Sequence, residues 1–129
     1  MKESNPTPKY RFRCASCQSL LTKALVAIDG TGSLETADGK ARIRTGHFGV
    51  EDGDMYTGSR GEFVININDS VGTLWHDDQS RLRGCCGPSG TDGRNLVCEN
   101  GHEVGTIRAD CWIPHSVTLD PEAVILEPA

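Results

Sequence analysis

Cys14-Ala15-Ser16-Cys17 and Cys98-Glu99-Asn100-Gly101-His102 are the two short stretches whose reading decides the fold. A C-x-x-C pair can turn both thiolates toward one tetrahedral metal from a tight turn. The C-x3-H run offers two further donors, and Gly101 supplies the freedom in φ that a knuckle turn needs. Cys14, Cys17, Cys98 and His102 together make a Cys3His set, the composition of a closed, structural zinc site. C-x-x-C also serves redox chemistry, but that use belongs with a βαβ pattern. Here it follows a β-like segment in a chain that shows no such pattern.

Eighty residues separate Cys17 from Cys98, where a simple ribbon has about a dozen. Loop-closure entropy grows only as the logarithm of length, so the longer loop costs about 1.7 kcal/mol more. Structural zinc contributes about 10–16 kcal/mol in small peptides. The metal therefore tolerates the gap, and the question becomes what fills it.

Short strands fill it. Tyr10 to Arg13 alternates and runs into Cys14, with Lys9, Arg11 and Arg13 on one face, read as solvated. Leu20 to Ile28 is the first apolar run. Its β-branched Val26 and Ile28 and the Asp29-Gly30-Thr31-Gly32 turn behind it favour strand over helix. Further candidates are Ala41 to Val50, Asp54 to Thr57, Glu62 to Ile67, Asn95 to Cys98, Glu103 to Arg108 and Ser116 to Leu119. In Glu62 to Ile67, Phe63, Ile65 and Ile67 oppose Glu62 and Asn66, the cleanest alternation in the chain. Asp69 to Arg83 reads as a polar loop around Leu74 and Trp75. The expected organisation is a flexible tail over 1–9, one zinc-binding β domain over 10–120, and a C-terminal tail or edge segment over 121–129. The expected class is mainly β, with antiparallel sheets stapled by zinc knuckles as a β-tent or a small β-sandwich.

The C-x2-C followed by C-x-N-G-H is similar to the zinc knuckle pair at the N-terminus of certain ribosomal-RNA guanine methyltransferases. Ala24 to Ser33 lacks the third glycine of a nucleotide fingerprint and reads as a hairpin, so no methyl-donor fold is expected. The larger pattern resembles the β-tent group: an early C-x-x-C, a long β insertion, and a second knuckle opening a hairpin. That group includes the Yippee proteins, the thalidomide-binding domain of cereblon and many B-type methionine sulfoxide reductases. The resemblance spans Tyr10 to Leu119 and is carried by Cys14, Cys17, Cys98 and the Val104-Gly105 pair. It implies a module that binds small ligands or protein segments. In the group the second knuckle is usually another C-x-x-C. Here Gly101 holds the fourth place and His102 comes one residue later, so Cys85 or Cys86 stands as an alternative fourth ligand.

Gly84-Cys85-Cys86-Gly87-Pro88 carries a vicinal thiol pair. Neighbouring Cα atoms about 3.8 Å apart are too close for an unstrained disulfide. If neither thiol ligates the metal, the expectation is two small buried residues in a Gly-Pro turn, with Cys111 a buried thiol as well. A reductase-like use of Cys86 or Cys111 is the enzymatic alternative. Trp75-His76-Asp77-Asp78 lacks the spacing of a hydrolytic metal site and reads as a solvated loop. His47 and His115 stand alone.

The net charge of −5 opposes a nucleic-acid footprint. No apolar run reaches membrane-spanning length and the N-terminus lacks signal-peptide character, so a reducing cytoplasm is expected. Apart from the metal, no acid–base pair stands out. The function expected is therefore a zinc-stabilised, non-catalytic module that recognises a protein segment or small ligand. Trp75 and Trp112 are the candidate contact residues, and with Tyr56 and Phe48 they are among the scarce aromatics expected to converge on the face away from the zinc. An acidic adaptor or immunity-type inhibitor is a further alternative.

Overall fold

In Tyr10–Cys14 the alternation does what it predicts: Phe12 and Cys14 are buried, while Tyr10, Arg11 and Arg13 are only half-buried. A computed structural model describes residues 7–28 and 34–129 of the chain. Along the described residues run β1 (Tyr10–Cys14), β2 (Val26–Ala27), β3 (His47–Val50), β4 (Phe63–Ile65), β5 (Thr73–Trp75), β6 (Leu96–Cys98), β7 (Glu103–Arg108), β8 (Ser116–Leu119) and β9 (Val124–Pro128). Two single 3-10 turns, Ile67–Asp69 and Gln79–Arg81, are the helical pieces among them. The protein is mainly β, as its sequence predicts.

The strands form a two-stranded sheet, β1-β9, and a seven-stranded sheet in the order β2-β3-β4-β8-β7-β6-β5. Neighbours are antiparallel except β2 and β3, which run parallel. Phe12 ties the small sheet to the large one. Its ring meets Phe48 edge-on at 5.3 Å and Phe63 at 4.9 Å, geometries that favour aromatic pairs beyond the area they bury. Leu21, Leu25, Ile65, Leu96, Val104, Val117 and Leu119 complete this core, and Cys14 and Cys98 belong to it. Behind β4, Val64 packs with Leu34 and Ile43 in a second, smaller cluster.

Several expectations are corrected. Asp54 to Thr57 is no strand but a series of bends, because local hydrogen bonds satisfy its backbone. The Asp52 carboxylate accepts from Asp54 N at 2.9 Å, and the Ser59 hydroxyl donates to Tyr56 O at 2.7 Å. Thr73–Trp75, read as loop, is β5, an edge strand whose backbone pairs with β6 although its side chains face solvent. The Leu20 to Ile28 run yields only β2 and isolated bridges at Leu20, Thr22 and Leu25. The 121–129 segment, expected as a tail or an edge segment, carries β9, which pairs along all five residues of β1. Its Glu127 forms ion pairs with both Arg11 and Arg13, so two of the three alternating cations have a partner across the sheet. The turn expected at Asp29 to Gly32 lies outside the described residues, as do residues 1–6 of the tail. Among the described residues, no helix is long and apolar enough to cross a membrane.

Candidate metal centre

Cys14 ends β1 and Cys98 ends β6, so both are held at strand termini with their side chains in the core. After each the chain turns sharply. Cys14 O accepts from Gln18 N at 2.7 Å and Cys14 N donates to Ser19 O at 2.9 Å, with Cys17 at the head of the turn. The second turn is matched: Gly101 N donates to Cys98 O at 2.9 Å and Cys98 N to His102 O at 2.8 Å. Gly101 sits at φ 86°, the left-handed region where a side chain is strained. Asn100 N points at Cys98 Sγ from 3.3 Å, an N–H aimed at a sulfur that favours thiolate.

These two turns bring Cys14, Cys17 and Cys98 Sγ and the His102 ring into one group whose donor atoms lie within 4.8 Å of one another. Cys17 and Cys98 Sγ are 3.7 Å apart, and His102 Nδ1 is 3.3 Å from Cys98 Sγ and 3.7 Å from Cys14 Sγ. With Zn–S about 2.3 Å and Zn–N about 2.0–2.1 Å, tetrahedral edges are about 3.8 Å between sulfurs and about 3.6 Å from sulfur to nitrogen. The donor set therefore has the size and composition to hold a metal ion. Cys14 and Cys98 are buried, Cys17 is half-buried and His102 is exposed, so the group closes the edge of the core with one side toward solvent.

Three of the four donors, Cys17, Cys98 and His102, are shifted toward their charged forms. The Ser19 hydroxyl and the Asn100 side chain favour the Cys17 thiolate and bring its pKa down to about 5. Burial pushes Cys98 up, but backbone N–H groups at His102 and Asn100, with the His102 ring, outweigh it and the net shift is down. Cys98 and then Cys17 draw His102 upward, toward imidazolium. Burial holds Cys14 above the ordinary thiol range. A divalent cation would replace the imidazolium proton and deprotonate the remaining thiol.

Cys85 and Cys86 do not reach this group. They join Cys111 in a second one, with three Sγ atoms within 4.8 Å of one another. The expectation of buried thiols is overturned: Cys85 and Cys86 are exposed and Cys111 is half-buried. Contact with Cys86, reinforced by burial, pushes the Cys111 thiol up to about 12.

Trp75 and Trp112 are both exposed, at 56 % and 71 %, and neither lines either of two surface cavities. Phe48 belongs to the core, and Tyr56 is buried elsewhere. His76 is not solvated but held 2.9 Å from Glu103, which also takes Arg81 at 2.9 Å. His47 Nδ1 lies 3.1 Å from Thr45 O and His115 Nε2 lies 2.9 Å from Asp110 O, both local uses.

Sequence reasoning missed a cavity of about 480 Å³ lined by Tyr56, Glu62, Arg94, Thr106 and Arg108. Glu62 Oε1 is buried without a hydrogen-bond partner, and burial pushes its carboxyl above the usual range. The Arg108 guanidinium lies 4.3 Å over the Tyr56 ring. The alternation around β4 had placed Glu62 on a solvent face. Arg108, the last residue of β7, is buried. Comparison with protein-family models, curated proteins and solved structures finds no match to this chain.

Proposed function

We propose that this chain is a non-catalytic binding module in which Cys14, Cys17, Cys98 and His102 hold one structural zinc ion. The convergence of four donors from two turns 80 residues apart carries the reading. Zinc would staple the β1 turn to the β6-β7 hairpin, and its closed coordination leaves no open position for chemistry. Six free cysteines suit a reducing, cytoplasmic setting.

Two surfaces support recognition of something else. Leu74 and Trp75, 57 % and 56 % exposed on the edge strand β5, suit an added protein segment that pairs with the sheet edge. The Glu62–Arg108 cavity suits a small polar ligand whose N–H would satisfy Glu62 Oε1. The raised Cys111 thiol makes Cys111 a poor nucleophile for the thiol-enzyme alternative, since the thiolate is the reactive form.

Native mass spectrometry with thiol counting tests the metal. One zinc per chain, with three thiols becoming reactive on chelation, is expected. No zinc, or zinc retained by a Cys98→Ser variant, would sink the reading. A thermal-shift screen with Trp75→Ala and Glu62→Gln variants then separates the two surfaces. Ligand shifts lost only in Glu62→Gln assign the cavity, and peptide shifts lost only in Trp75→Ala assign the edge.

A further inference from the structure

We propose that Cys85, Cys86 and Cys111 form a second metal site, an open three-thiolate cradle for a soft closed-shell ion, with Cu(I) its best-matched occupant. The three Sγ atoms lie within 4.8 Å of one another, and two of the three residues are exposed. Exposure removes the ordinary reason for free cysteines to cluster, which is packing in a core.

The cluster is built by the fold. Asp110, buried beside Cys111, spreads one carboxylate over all three cysteines' backbones. Its Oδ1 accepts from Cys111 N at 2.8 Å and Cys86 N at 3.2 Å, and its Oδ2 from Cys85 N at 3.3 Å. Backbone bonds to one carboxylate thereby bring the three cysteines together. The loop is docked as well: Ser89 N donates to Arg83 O and Ala109 N to Pro88 O, each at 2.8 Å. Gly84 is required by close approach, because a Cβ there would fall 1.7 Å from Gly87 O.

Donor chemistry selects the ion. Soft thiolates favour Cu(I), zinc and iron–sulfur clusters. Structural zinc takes four protein ligands, and among the described residues this group offers three. The Asp110 carboxylate already accepts from three backbone N–H groups. A three-coordinate Cu(I) needs no fourth ligand. Cys85 and Cys86, being neighbours, are poorly placed to consume each other as a disulfide.

The site is independent of the Cys14 set, and the experiment keeps them apart. Full-length protein is loaded anaerobically with one equivalent of zinc under reductant, and its zinc content is measured. Cu(I) is then supplied as its bicinchoninate complex, and uptake is followed by loss of that complex's absorbance and by native mass. One copper is expected beside one retained zinc. The C85S/C86S/C111S variant should keep its zinc and bind copper at least 100-fold more weakly, and each single serine variant at least tenfold. X-ray absorption on the copper-loaded wild type should show three sulfur neighbours, a readout that needs no variant to fold. Copper entering only with one-for-one zinc release, equal uptake by the triple variant, or two sulfur neighbours would overturn the proposal. So would a disulfide from Cys111 to Cys85 or Cys86 that persists under thiol reductant.

Discussion

Cys14, Cys17 and Cys98 differ from Cys85, Cys86 and Cys111 in how they meet. The first three arrive from two turns far apart in the chain, two of them packed in the core, with an imidazole beside them. The second three meet on the surface, brought there by one carboxylate that binds their backbones. In the first set the contacts between the turns run through the donor atoms themselves, from Cys17 Sγ to Cys98 Sγ and from Cys14 Sγ to the His102 ring. In the second the fold assembles the thiols whether or not an ion is present. Clustered cysteines thus arise in two ways here: one set joins distant turns through its donor atoms, the other is gathered through its backbone.

The sharpest way to break that contrast is to remove a ligand from each set. Cys98→Ser should abolish zinc binding and destabilise the protein by an amount comparable to a domain's whole stability, roughly 5–15 kcal/mol. Thermal unfolding with and without a chelator reads it. The wild type in chelator should fall to the variant's level, while the variant should not respond. Cys85→Ser/Cys86→Ser should leave zinc content and melting temperature nearly unchanged, because both side chains are exposed.

Acid should part the two sets in order. Metal-bound thiolates and imidazole must be deprotonated, so falling pH drives zinc out. Zinc release, followed with a metallochromic dye, should begin while Asp110 is still ionised. Backbone N–H groups at Cys86, Cys85 and Cys111 hold Asp110 below the usual carboxylate range. Its contribution is present above the unfolded pKa and lost only as pH falls through the lower folded one. Asp110→Asn should accordingly lower the melting temperature by a few degrees at neutral pH and leave zinc untouched.

The smallest effect serves as a reference outside both sets. Glu62 is held above the ordinary range by burial, so its ionised form opposes folding. The sign follows: protein with protonated Glu62 is favoured at low pH, and that advantage is lost as pH rises through the folded pKa. Glu62→Gln should raise the melting temperature at pH 7 and make no difference below the carboxylate range.

Strands β7 and β8 are legible in the sequence at their full length, and β1 to within a residue. They carry β-branched and aromatic residues bounded by glycine, proline or acidic turns. Around β4 the alternation is visible but half wrong. Phe63 and Ile65 face one core, yet Val64 and Asn66 are buried too, because Leu34 and Ile43 cover the other side. A strand dry on both faces does not alternate. Strand β5 was hidden by its exposed Leu74 and Trp75 and the charges that follow, since an edge strand is defined by its backbone pairing to β6.

From the sequence alone came the mainly β class and the four residues that converge at the candidate metal centre. Ligand spacing within one turn is local geometry, and two such turns find each other at small entropic cost. Tertiary structure decided which cysteines accompany which. Cys85 and Cys86 lie beside Cys111 rather than Cys98 because Asp110, two residues past β7, binds both segments. The same pairing of β4, β8 and β7 sets Glu62 and Arg108 around one cavity. Those meetings depend on strand order and register across the sheet, which no local run of residues encodes.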